Sequence, residues 1–217
     1  GAPFVCNSGY AKLTFEHDAA GNTTSVAYSD AAGNPTILRR NYAKAAWSYT
    51  EDGAVAESTC YGADGAPCRS LGGYSKKAFV HDARGNVTEE AYFDKEGNPC
   101  RHADGFAKIT RKFDAYGRVT EMTFLGMDGK PCLCYNAGYA CFKRTYDANG
   151  NTATESYFGT TGNPCRNRDG HAQIVCENDA CGRLVSQTFL GPDGQPCYIA
   201  AGYANVGNTY NSDGDHL

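Results

Sequence analysis

Long apolar runs are missing from this chain. No stretch approaches the roughly twenty consecutive apolar residues that a membrane-crossing helix requires, so membrane insertion by a helix is not expected of these 217 residues. Leu, Ile, Val and Phe together number only 31, fewer than a conventional core of this size would use. A dominant charge is lacking too: 20 Lys and Arg face 24 Asp and Glu, a net charge of −4. That balance gives no electrostatic case for nucleic acid or an anionic membrane surface. Nucleophile elbow, P-loop and dinucleotide fingerprint are all absent, as is a secretory signal pattern.

What is present is order. Tyr (15), Phe (10), Cys (11) and Gly (26) recur at fixed columns, whereas disordered chains lack such regularity. A Gly-aromatic anchor appears at Gly9-Tyr10, Gly73-Tyr74, Gly105-Phe106, Gly138-Tyr139, Gly170-His171 and Gly202-Tyr203, with Asn41-Tyr42 standing in once. Successive anchors are 32, 32, 32, 33, 32 and 32 residues apart. Gly21, Gly53, Gly85, Gly117, Gly150, Gly182 and Gly214 keep the same step, and so does a G-x-P unit carrying Pro35, Pro67, Pro99, Pro131, Pro164 and Pro196. Three landmarks in register mark a tandem repeat. The expected organisation is a single array over 1–217, with a half repeat at 1–9, full repeats at 10–41, 42–73, 74–105, 106–138, 139–170 and 171–202, and a half repeat at 203–217.

Within one unit, Phe106 to Phe113 alternates, with Ala107, Ile109 and Phe113 on one face and Lys108, Thr110 and Lys112 on the other, the period of a strand. Asp114-Ala115-Tyr116-Gly117 supplies a tight turn. Val119 to Leu125 reads as a second strand, Met127 to Lys130 as a turn, and Cys132 to Cys134 as a short third strand entered through Pro131. The fold class that follows is all-β: an elongated tandem array of hairpin or meander repeats, as a β-solenoid or twisted ribbon. One second-strand column holds Tyr28, Cys60, Tyr92, Phe124, Tyr157 and Phe189. Each buried large side chain contributes roughly 1.5–3 kcal/mol, so stacked rings stabilise neighbours that a lone unit could not replace.

A second period lies over the first. Units starting at Tyr10, Tyr74 and Tyr139 carry G-N-P turns, while those starting at Tyr42, Phe106 and His171 carry G-A-D-G, G-M-D-G or G-P-D-G turns. The expectation is a superperiod of two repeats. The ends are out of phase with the units: Gly1-Ala2-Pro3 matches a G-x-P turn, and Tyr210 to Gly214 matches a first-hairpin turn. An excised piece of a longer array explains this, as does joining of complementary half-repeats, for which open β edges are suited.

Gly138-Tyr139-Ala140, Tyr146-Asp147-Ala148-Asn149-Gly150-Asn151, Glu155-Ser156-Tyr157-Phe158 and Gly162-Asn163-Pro164 together resemble the Tyr-Asp-Gly repeats of large bacterial proteins, in the neighbourhood of RHS/YD and MORN-like β-hairpin arrays. The resemblance implies a surface or secreted scaffold or binding segment, extracellular or at the cell surface, and brings no catalytic residues with it. The unit is longer than a simple YD repeat, so the shell-like enclosure of RHS proteins is not carried over. The residue after Pro departs as well, being mostly Cys here where similar arrays place an aliphatic residue.

That column is Cys68, Cys100, Cys132, Cys165 and Cys197, with Phe4 and Thr36 at the equivalent places. Two roles stay open for it: small buried hydrophobes or disulfide staples of a thin core. Adjacent members can bridge only if their Cα atoms lie within about 4.4–6.8 Å, which stacking by single strands permits and stacking by hairpins does not. Off the column lie Cys6, Cys60, Cys134, Cys141, Cys176 and Cys181, and Cys60 with Cys68 is the best local pair. Cys132, Cys134 and Cys141 have no zinc spacing, and the Asp-rich turns lack the twelve-residue calcium loop. No metal or cofactor is expected.

Catalysis needs a unique constellation, and an array offers near-copies; His17 and His81 share a column with Tyr49 and Phe113. The expected function is therefore non-enzymatic: a structural or assembly segment whose partner is itself, head to tail or edge to edge. The alternative is a binding array for glycans or surface proteins, with Trp47, Tyr10, Tyr42, Tyr74, Tyr139 and Tyr203 as the stacking aromatics. Burial of those rings would remove the support for glycans.

Overall fold

Alternating side chains punctuated by Gly-containing turns build strands, and the computed structural model, which describes residues 9–211 and 213–216, contains thirteen of them. Their order follows the chain, β1 to β13, each antiparallel to its neighbour. The first-strand series is β1 (Lys12–His17), β3 (Lys44–Tyr49), β5 (Lys76–His81), β7 (Lys108–Phe113), β9 (Cys141–Tyr146) and β11 (Gln173–Asn178). The second-strand series is β2 (Thr23–Ser29), β4 (Val55–Tyr61), β6 (Val87–Phe93), β8 (Val119–Leu125), β10 (Thr152–Phe158) and β12 (Leu184–Leu190), and β13 (Asn205–Gly207) closes the order. The all-β expectation holds, as an open meander. Among the described residues no helix is long and apolar enough to cross a membrane. The chain divides into two compact units, Gly1–Ile109 and Thr110–Leu217. Phe4, Cys6 and the Gly1-Ala2-Pro3 turn lie outside the described residues.

The third strand expected around Cys132 to Cys134 is reduced to one bridge, Leu125 to Pro131, and the same bridge recurs at Ser29–Pro35, Tyr61–Pro67, Phe93–Pro99, Phe158–Pro164 and Leu190–Pro196. Proline has no N–H to donate, so the ladder gains only the bond from the residue after it, as from Cys132 N to Phe124 O at 2.9 Å, before the chain turns again.

Each repeat uses one turn three times. Asp18 N donates to Asn22 O and Gly21 N to Asp18 O; Asp30 N to Asn34 O and Gly33 N to Asp30 O; Leu38 N to Tyr42 O and Asn41 N to Leu38 O. The fourth residue of each of these turns has a positive φ, which explains why all three sequence landmarks contain glycine; the third turn of the 106–138 unit is one residue longer, with Cys134 N donating to Tyr139 O and Gly138, fifth, taking the positive φ. Asn41, at φ 67°, is the one non-glycine among the described residues to adopt it, a conformation that Asn tolerates. The turn joining β1 to β2 is closed further by its Asp: Asp18 Oδ1 accepts the N–H groups of Ala20 and Asn22, both at 2.9 Å. In every hairpin whose register is resolved, pairing shifts near the end of the first strand, as at Glu16/His17 in unit 1 and Glu177/Asn178 in unit 2.

The second turn is capped in two ways, which follow the expected superperiod except in the unit starting at Tyr139, where Gly159 takes the first position. In the G-N-P units starting at Tyr10 and Tyr74, Asp30 and Asp94 cap the second turn from its first position. In the D-G units Gly stands there instead, and Asp64, Asp128 or Asp193 accepts from within the turn at 3.0–3.1 Å.

The core is a thin layer. Ala43, Ala45, Tyr92, Phe106, Ala107 and Ile109 are buried in unit 1, and Phe124, Ala140, Phe142, Tyr157, Ala172 and Phe189 in unit 2. Ala107 and Ile109 occupy the face expected to point inward. Residues after the anchor are small because their backbone lies between two strands: Ala43 N donates to Tyr61 O and Ala43 O accepts from Tyr28 N.

Candidate functional site

The anchor rings and the second-strand rings interleave into a ladder, and this ladder is the feature with the chemistry of a site. In unit 2 the ring centroids step from Phe124 to Tyr139 (5.9 Å), Tyr157 (4.8 Å), His171 (5.5 Å), Phe189 (5.0 Å) and Tyr203 (5.9 Å). Tilted and edge-to-face pairs at these separations are favourable beyond their area. In unit 1 the steps are Tyr10–Tyr28 (5.3 Å), Tyr28–Tyr42 (6.2 Å), then Tyr74–Tyr92 (5.1 Å) and Tyr92–Phe106 (5.6 Å). Between Tyr42 and Tyr74 the column residue is Cys60, so one rung is missing.

Ion pairs flank the rungs. Tyr92 donates to Glu90 Oε1 at 2.8 Å, and Lys77 Nζ lies 2.9 Å from the same oxygen. In unit 2 Tyr157 donates to Glu155 at 2.7 Å, while the other Glu155 oxygen accepts from Arg144. Burial, followed by the nearby Glu155 charge, pushes the Tyr139 hydroxyl up to about 12 and raises Tyr157 further. The Tyr157 hydroxyl is a donor to Glu155. His171 is lowered by burial. Its Nδ1 is buried without a partner, so the ring is a neutral rung.

A second set of tyrosines stitches repeats together, at the end of the first strand. Tyr49 donates to Thr23 O at 2.6 Å in unit 1; Tyr146 donates to Val119 O at 2.8 Å and Tyr210 to Leu184 O at 2.9 Å in unit 2. Where the preceding turn ends in Arg, that Arg bonds its turn Asp and covers the next repeat's ring. Arg118 holds Asp114 at 2.7 Å and lies 4.2 Å over Tyr146; Arg183 holds Asp179 at 2.7 Å and lies 4.7 Å over Tyr210. The Tyr146-Asp147 pair therefore does two separate jobs, with Tyr146 bonding to the preceding repeat and Asp147 closing its own turn. Sequence reasoning had treated this Tyr column only as a strand face.

The expected stacking residues fall into two groups. Tyr10 and Tyr42 border a groove of about 720 Å³ with Tyr28, Phe15, Arg39 and Arg40. Tyr42, Trp47 and Tyr74 border a second groove of about 320 Å³ with Cys60, Arg40 and Lys77. These four residues are half-buried. Tyr139 and Tyr203 instead lie in unit 2 against ladder neighbours, Tyr203 being 41% exposed. Arg39, Arg40 and Lys77 were missed in the sequence, where nothing marks a cation as facing a ring. Cys60 was visible as the one non-aromatic residue of its column.

All ten described cysteines are free thiols. Cys68 and Cys100 follow bridges on β4 and β6, two strands apart, or about 9.6 Å at the usual spacing, beyond disulfide reach. Their column lies half-buried at the turns, where Cys68 Sγ donates to Asn41 O and Cys197 Sγ to Gly170 O. Cys60 and Cys68 are paired neighbours, Cys68 N donating to Cys60 O at 2.9 Å. Burial, with Cys68 adding to it, raises the Cys60 thiol to about 11, leaving it a poor nucleophile.

No family model matches this chain, and no curated protein matches it. Among solved structures, a Tc holotoxin pore from Photorhabdus luminescens with a TccC3 substitution is similar over 94% of this chain, at 16% identity and a TM-score of 0.37. A TcdB2–TccC3–TEV structure is similar over 93%, at 13% identity and a TM-score of 0.43. A TcdB2–TccC3 structure is similar over 97%, at 12% identity and a TM-score of 0.38. This chain spans 11–13% of the length of those chains.

Proposed function

We propose that this chain is a non-enzymatic structural repeat segment of a bacterial surface or secreted protein, associating with further copies of itself. The observation carrying this is that each repeat completes the bonding of its neighbour. In unit 1, Leu71 N donates to Arg40 O and Ala103 N to Gly72 O, joining successive third turns; in unit 2, Arg168 N donates to Ala137 O and Ala200 N to Asp169 O. Rings and tyrosine hydroxyls add links of the same period. Such an arrangement is extended by adding units, and unpaired strand edges favour such addition. Light scattering over a wide concentration range tests self-association: mass should rise with concentration, and a strict monomer throughout would refute it. Inserting a second copy of residues 139–170 tests the scaffold role. The longer chain should fold with no loss of stability, and collapse of the fold would count against it.

In an oxidising extracellular setting the Cys60–Cys68 pair is the candidate disulfide. Finding all eleven thiols free under denaturing conditions would exclude that bond. A second function, glycan binding along the ladder, is favoured by the two ring-bordered grooves of unit 1.

A further inference from the structure

The missing rung has a shape and a charge of its own. Tyr42 and Tyr74 flank the place where every other unit carries a Tyr or Phe, and the column residue there is the short Cys60. The resulting groove, about 320 Å³, is at the lower end of the roughly 300–1,000 Å³ of small-molecule sites. Its borders are amphipathic: two tyrosine rings and Trp47, with Ser58 and Thr59 among the polar residues.

The charge balance also differs here from the flanking unit. Lys77 is already paired with Glu90. The position two residues before the column, which holds Glu90 and Glu155 beside Tyr92 and Tyr157, holds Ser58 beside Cys60. Arg40 lies against the Tyr42 hydroxyl with Tyr28 and Tyr74 nearby, and no carboxylate is set against it among the described residues. A guanidinium fork at the groove border with no carboxylate partner among those residues is suited to bidentate recognition of a carboxylate. Amphipathic rings accept the apolar face of a sugar while their rims meet its hydroxyls.

We propose that the Tyr42–Tyr74 slot is a subsite for one carboxylate-bearing sugar ring, a hexuronate residue of an acidic glycan, with Arg40 engaging its carboxylate. This deepens the glycan-binding function above and rests on it. The scaffold function stands without it.

Trp47 is the sole tryptophan and borders the slot, so its fluorescence reports occupancy directly. Titration of the full chain with trigalacturonate should give a saturable change. The fully methyl-esterified trisaccharide, and the Arg40→Gln variant with trigalacturonate, should bind roughly tenfold or more weakly, as loss of a charge-assisted pair implies. Cys60→Tyr should restore the rung and abolish the response while its far-UV circular dichroism stays native and its melting temperature rises. No response to either sugar overturns glycan binding altogether. Equal binding of the ester, or undiminished binding by folded Cys60→Tyr, overturns the hexuronate subsite alone. Tighter binding of benzoate than of trigalacturonate, or a Trp47 change that tracks protein concentration without sugar, assigns the slot to another occupant and overturns it too.

Discussion

The two units use one turn and one strand pattern, yet their ladders differ. In unit 2 the rings run from Phe124 to Tyr203 without a gap, and Phe124, Tyr157 and Phe189 are all buried. In unit 1 the equivalent column reads Tyr28, Cys60, Tyr92; only Tyr92 is buried, and grooves open on both sides of Tyr42. A repeat architecture tolerates such a defect because each unit contacts only its neighbours, so a lost rung weakens one junction and leaves the others intact. The difference teaches that a site in an array is best sought where a column is interrupted, since the intact positions are committed to the fold.

Six substitutions, in four tests, sharpen that comparison. Phe189→Ala in unit 2 should have the largest effect, a loss of about 3–5 kcal/mol measured by urea denaturation. Cys60→Ala in unit 1 should cost well under half as much, because no ring contacts are lost, and equal losses would dissolve the distinction between the units.

Gly138→Ala comes next. At φ 81° its added Cβ would lie 3.1 Å from Arg168 N, so crowding of the turn-to-turn junction adds to backbone strain of roughly 1–3 kcal/mol. Gly53→Ala in unit 1, at φ 80° with nothing within 4 Å, should show the strain without the crowding. A pair of identical melting curves would mean that the junction is looser than its geometry.

Ser75→Ala should stabilise unit 1. Ser75 is 1% exposed, its Oγ has no partner, and the matching residues Ala107, Ala140 and Ala172 lack the hydroxyl. Removing an unsatisfied buried hydroxyl is worth on the order of 1 kcal/mol, or about 2–4 °C in the melting temperature of a chain of this size. A lower melting temperature would show that the hydroxyl is satisfied in solution.

The smallest effect concerns pH. Burial lowers His171 in the folded protein, so the unfolded chain binds the proton more readily. Stability is then full above the unfolded value of about 6.5 and falls as pH drops below it. His171→Phe should flatten this part of a pH series of melts, and an unchanged slope would remove His171 as its source. Hydrogen bonds to Asn22 lower the turn aspartate Asp18, and at Asp147 desolvation raises the value while hydrogen bonds to Asn151 and its neighbours outweigh it and lower it. Their contribution persists above about 3.9 and is lost only as pH falls through their folded values, which separates the two limbs.

Much of the fold was legible because the forces that set it are local. Val119 to Leu125 was expected as a strand and forms β8 over those residues, since alternation and the flanking turns define its limits. The third strand was over-read, because the sequence shows that Pro131 stiffens the chain but not that the next turn begins only three residues later, at Cys134. Of the site, Tyr10, Tyr42, Trp47 and Tyr74 were named, while Arg40 and Lys77 were not: Lys77 reaches over the Tyr74 and Tyr92 rings only once the strands are paired, and no spacing in the sequence marks a cation as facing a ring.

The period, the turn chemistry and the all-β class of this protein follow from sequence alone, because alternation, glycine at positive φ and aspartate capping act over a few residues. The tertiary structure decided which column residues become contiguous. It turned Tyr49, Tyr146 and Tyr210 into links to the repeat before each, and it turned one cysteine in a column of rings into an open slot. Contacts of that kind depend on strand register and hairpin stacking, which are properties of assembled neighbours rather than of any single unit.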